Sequence, residues 1–174
     1  MMSLIVVFWV FVGLFAVIGA MRGWAKEVLV SFSIILAIFI ITISEKWTLI
    51  NNLDITFKFW FRILLTGGLA FFGYQTPNLS AFIKPGRFVR EKFQDMLLGI
   101  FLGALNGYLI FGTLWFYIAQ AKYPGGFIVP PDLTTALGKA TQSYLGYMAP
   151  SVLGTPFIYF AVAVAFVFVI VVFV

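Results

Sequence analysis

The chain contains no cysteine and no histidine, and only 10% of its residues are charged. Without cysteine there is no disulfide, iron–sulfur cluster, thiolate zinc site or cysteine nucleophile. Without histidine there is no histidine-ligated haem, copper or chlorophyll, and no histidine acid–base chemistry. Ligation of a pigment by methionine, carboxylate or backbone carbonyl stays open, but few arrangements use those alone, so no cofactor is expected. The sequence also lacks a phosphate-binding GxxxxGK[ST] run, a GxGxxG dinucleotide fingerprint and an HExxH zinc motif. The expectation is a protein that is not an enzyme.

What fills the chain is apolar. Hydrophobic residues make up 63% of the 174 positions, and the mean hydropathy is +1.08. A soluble domain of this length needs more charged surface than that. Five stretches carry no charged side chain: 1–20, 28–44, 63–83, 96–121 and 153–174. A bilayer core of about 30 Å takes roughly 20 apolar residues in a helix, and helices satisfy their backbone groups internally, as lipid demands. The reading is an all-α integral membrane protein, one membrane domain over 1–174. Four or five transmembrane helices are expected, with spans at about 3–20, 28–43, 57–74, 96–118 and 155–174. The first run lacks a basic region before it, since Arg22 and Lys26 follow it; it reads as a retained span, not a cleaved signal.

The connections carry the polar residues. Met21 to Glu27 is a tight basic turn, with Glu27 placed where a negative charge suits a helix start. Lys58 and Arg62 fall in the first turns of the third span, where they either snorkel or face a protein interior. The most charged loop holds Lys84, Arg87, Arg90 and Lys92 with Glu91 and Asp95; residues 87–97 read as a short helix leading into the fourth span. Asp132 reads as the cap of an amphipathic helix over about 132–149, with Leu133, Leu137, Ala140, Tyr144 and Met148 on one face and Pro150 ending it. Such a helix lies flat at the membrane surface.

Charge orients the chain. The first and third connections carry Arg22, Lys26, Lys84, Arg87, Arg90 and Lys92; the other side carries Lys46, Lys58, Lys122 and Lys139, with Arg62 if it snorkels. The density in the third connection places that side in the cytoplasm. The N-terminus is expected outside, and the C-terminus inside if the fifth helix spans fully. The basic run, broken by Glu91 and followed by Asp95, is too thin a footprint for nucleic acid; membrane lipids and other transmembrane subunits are the expected partners.

Two local patterns stand out. Gly99, Gly103 and Gly107 recur every four residues in the fourth span, with Asn106 beside them. They admit a close helix, either the chain's own or another subunit's, and the amide of Asn106 calls for an interhelical partner. No acidic residue falls firmly inside an expected span, which argues against an ion-coupled carrier.

The second pattern is Gly19-Ala-Met-Arg22-Gly23-Trp-Ala-Lys26-Glu27. It resembles the Gly-x-x-Arg-Gly-x-x-[Arg/Lys]-Glu turn of the colicin V production protein family of bacterial inner-membrane proteins. The stretch from Asp95 through Gly99, Gly103, Asn106 and Gly107 is similar to that family's last-helix signature, with Asn106 where the family has arginine. The likeness covers about residues 3–119. It implies a membrane factor of the bacterial cytoplasmic membrane, linked to toxin production or export or to envelope homeostasis, working through partners or lipids. Two rivals stand beside it: an accessory subunit of a respiratory or photosynthetic complex, and a small transporter or channel.

Overall fold

The computed structural model describes residues 3–46, 50, 52–75, 92–126 and 128–173. It is helical, with no strand among the described residues: α1 (Leu4–Arg22), α2 (Trp24–Lys46), α3 (Ile55–Tyr74), α4 (Lys92–Gln120), α5 (Ala136–Tyr144), α6 (Ala149–Val152) and α7 (Phe157–Phe173). The first four are long and apolar enough to cross a membrane. α7 has 17 residues, or about 25 Å at 1.5 Å per residue, a little short of a bilayer core.

α4 is the axis of the bundle; it packs against α1, α2 and α3. Its contact with α1 is backbone on backbone. A Cβ on Gly19 would run into the Gly99 carbonyl oxygen and stand 2.7 Å from the Gly103 Cα. A Cβ on Gly103 would strike the Phe15 carbonyl oxygen, and one on Gly107 would lie 2.9 Å from the Val12 Cα. Small residues at these positions let the axes approach, which is how helices associate where lipid removes the hydrophobic drive. Beyond the glycines the seam widens to admit rings: Phe11 stacks on Phe111 with centroids 3.8 Å apart.

α2 contributes the largest share of the core. Val30, Ile34, Ile38, Ala70 of α3, and Leu109 and Ile110 of α4 form one buried cluster, joined by Ala149 and Ile158. A second, around Phe8, Val12, Trp115, Leu145 and Met148, seats the segment before α7 against α1 and α4. α7 runs antiparallel to α2, with Tyr159 edge-on to Phe39 and Phe168 edge-on to Phe32.

Several expected boundaries move. α2 begins at Trp24, so Glu27 lies inside it. α4 begins at Lys92 and runs without a break through Leu97; residues 87–91 lie outside the described residues. The expected helix over 132–149 is shorter and differently capped. Thr135, not Asp132, is its N-cap, accepting from the Gly138 N–H at 3.0 Å. Asp132 instead accepts from Thr134 N–H at 2.9 Å and from its hydroxyl at 2.7 Å. The α-helix stops at Tyr144, a 3-10 turn covers Leu145–Tyr147, and Pro150 opens the short α6 where it was expected to end the helix. The face turned to the protein is Gly138, Thr141, Leu145 and Met148, while Leu133 and Leu137 are exposed. A Cβ on Gly138 would strike the Asp132 carbonyl oxygen, so the segment leading into α5 folds back closely on its first turn.

Candidate functional site

The turn between α1 and α2 is built on Gly23. Its φ of +84° with ψ of 157° is backbone that essentially only glycine adopts. Its N–H closes α1 on the Gly19 carbonyl at 3.0 Å. A Cβ there would sit 2.8 Å from the Asp95 carboxylate, which accepts from the Trp24 N–H at 3.2 Å. The first turn of α4 thus places an anion at the N-terminus of α2, where unpaired N–H groups and the helix dipole favour it.

The turn aims Glu27 inward. Its side chain is fully buried and meets three other helices. Arg22 of α1 donates to Oε1 at 2.8 Å. Asn106 of α4 donates to Oε2 at 2.7 Å and to the Glu27 carbonyl oxygen at 2.9 Å. The Tyr74 hydroxyl of α3 donates to Oε2 at 3.3 Å. The amide oxygen of Asn106 is taken by the Ser31 hydroxyl at 2.7 Å. Arg22 also donates to the Tyr74 carbonyl oxygen at 3.1 Å and lies 4.3 Å from the centre of its ring. Charge and hydrogen-bonding capacity are matched inside one cluster that ties α1, α2, α3 and α4 at one end.

A second polar cluster stands at the other end. Arg62 pairs with Glu45 at 2.5 Å and lies 5.1 Å from the centre of the Tyr117 ring, so Arg62 faces the protein interior. Lys46 donates to the Tyr159 hydroxyl at 3.2 Å, tying α2 to α7. Glu27 and Glu45 are 18 residues apart on α2, about 27 Å of helix, close to the hydrocarbon thickness of about 30 Å.

The sequence-derived residues therefore fall into three groups. Gly19, Arg22, Gly23 and Glu27 from the turn come together with Gly99, Gly103, Gly107 and Asn106 from α4. Lys26 stands beside them, partly exposed, with no ion pair or hydrogen bond among the described residues. Lys92 opens α4 and is exposed, whereas Lys84, Arg87 and Arg90 lie outside the described residues. Asp95, which opens the family-like stretch of α4, joins the cluster through Trp24; Tyr74 and Ser31 complete it without a sequence expectation, a tyrosine ending a span and a serine four residues after Glu27 being the available signals. Among the described residues, no group of three or more acidic, cysteine or histidine side chains is placed to hold a metal ion.

Outside the packed interior, α2, α3 and α7 leave an apolar groove of about 340 Å³ lined by Leu29, Ser33, Leu36, Phe72, Gly73, Val169 and neighbours. In comparisons with known proteins, no family model matches the chain, and neither a curated protein nor a solved structure matches it.

Proposed function

We propose that this chain is a non-enzymatic, multi-pass factor of the bacterial cytoplasmic membrane, of the kind the colicin V production family represents, working by contact with lipids or a partner protein. The observation that carries this reading is the closed polar cluster at Glu27. The family-like turn and the glycine segment of α4 meet in space and serve each other: Asn106 binds Glu27, and Gly99 and Gly103 seat Gly19. Side chains so committed hold helices together.

The rivals lose ground for stated reasons. An accessory subunit needs a face for its neighbours, and the strongest candidate face, the glycines of α4, is occupied by α1. A carrier needs its buried charge on a polar path. Glu27 has both carboxylate oxygens engaged and lines none of four surface grooves found among the described residues.

Cell fractionation with mild-detergent purification and native mass analysis tests the reading. The expected result is a membrane-fraction protein released as a lone 19.5 kDa chain, with lipid or a loosely held partner. Recovery in the soluble fraction overturns it, and a stoichiometric respiratory or photosynthetic complex moves the assignment to the accessory subunit.

A further inference from the structure

The groove between α2, α3 and α7 has a shape that selects its occupant. Its floor is the close approach of α2 and α3, where a Cβ on Gly73 would stand 2.8 Å from the Ser33 hydroxyl. That hydroxyl is bonded back to the Leu29 carbonyl oxygen at 2.9 Å, so the floor offers no free polar group. Phe72 and Phe166, 70% and 62% exposed, flank it. In a bilayer such a groove meets acyl chains, not water.

Its depth separates two occupants. On α2 it runs from Leu29 to Leu36, and from Lys26 to Leu36 is ten residues, or about 15 Å of helix. That is half of the about 30 Å hydrocarbon core, the depth of one leaflet. A partner helix has to run the whole span, but a lipid tail has to run only half. Phe72 and Gly73 belong to the last turn of α3, so the groove opens at the end where the Arg22–Glu27 turn lies.

That end carries a cation. Lys26 lies one turn before Leu29 and seven residues before Ser33, on the same stripe of α2. Its neighbours Arg22 and Glu27 neutralise each other at 2.8 Å, and Lys26 has no partner among the described residues.

We infer that this groove holds one acyl chain of an anionic glycerophospholipid, with the lipid phosphate at Lys26. The inference rests on the membrane placement proposed above, not on the family or the partner.

The test is native mass spectrometry of the full-length chain taken from nanodiscs of equal phosphatidylglycerol and phosphatidylcholine. The expected result is one phosphatidylglycerol retained per chain. Val169→Trp fills the groove from α7, and Leu36→Trp closes its deep end from α2 should the first variant not fold; either abolishes retention. Lys26→Gln keeps the groove but lowers the preference for phosphatidylglycerol about fivefold, the worth of one cation at an anionic surface. Leu64→Trp, on an exposed face of α3 away from the groove, changes nothing. Equal retention of the two lipids, no lipid on the native chain, or full retention by the folded tryptophan variants overturns the inference while leaving the membrane placement intact. A chain that fails to enter nanodiscs overturns the membrane placement instead.

Discussion

Arg22 and Glu27 bring opposite charges to the edge of the apolar region, and each makes the other tolerable there. Removing Arg22 leaves the Glu27 carboxylate buried and uncompensated, which costs about 3–5 kcal/mol for a buried pair. Arg22→Gln is therefore expected to destabilise strongly, since Asn106 and Tyr74 supply only neutral donors to the carboxylate. The double variant Arg22→Gln with Glu27→Gln is expected to lose less than Arg22→Gln alone, because no lone charge remains. Thermal unfolding in detergent across this cycle checks the point; additive losses would show the pair to be uncoupled. Asp132 gives a second expectation at this scale. The Thr134 backbone N–H, then its hydroxyl, hold the Asp132 carboxyl below its ordinary value. A folded pKa below the unfolded one contributes stability above the unfolded pKa, and that contribution fades as pH falls through the folded pKa. A carbon-13 titration of Asp132 should give a midpoint below that of an ordinary aspartate, and Thr134→Val, which removes the hydroxyl bond, should raise it.

Between elements, the α1–α4 seam is set by what is missing from the glycines. A methyl group on Gly103 meets the Phe15 backbone, and backbone cannot swing aside as a side-chain tip can. Gly103→Ala is expected to destabilise by about 1–3 kcal/mol, the range for overpacking. Gly67→Ala, in α3 with nothing near its Cβ, should stay within about 1 kcal/mol of the native chain, in line with the helix preference for alanine. Denaturant melts of the two variants side by side decide it; equal effects would mean that the seam loosens to admit a methyl. A close-packing face on α4 was legible in the sequence, because glycines four residues apart line one side of a helix. Its partner was not, since α1 is apolar all round and its periodicity marks no inner face. Glu27 was readable as a helix-start anion but not as a buried one. Burial depends on Gly23 turning the chain so that α2 starts three residues before it, and on Asn106 and Tyr74 arriving from 79 and 47 residues away. The cap of α5 differs from the expected one for a local reason: Asp132 and Thr135 both suit a helix start, and the Asp132 Oδ1 accepts from Thr134 instead.

At the scale of the whole molecule, the two polar clusters define two ends, and the contacts assign both ends of α2, α3 and α4, the end of α1 and the start of α7 to one or the other. Arg22, Glu27, Tyr74 and Asp95 share one end. Glu45, Lys46, Arg62, Tyr117 and Tyr159 share the other. The start of α7 therefore lies with the start of α3 and the end of α4, and its antiparallel run along α2 carries its C-terminus toward the Arg22 end. The basic residues of the first and third connections lie beside that end in sequence, so by the positive-inside rule we propose that this end faces the cytoplasm. The chain has no cysteine of its own, so single cysteines report sidedness without background. Asn52→Cys and Thr155→Cys should react with a membrane-impermeant maleimide in intact cells, and Lys92→Cys only after lysis. The reverse pattern would invert the topology without altering the fold. Thr155→Cys protected together with Lys92→Cys, while Asn52→Cys reacts, would instead mean that α7 does not cross beside α2, removing one wall of the groove that Lys26 overlooks.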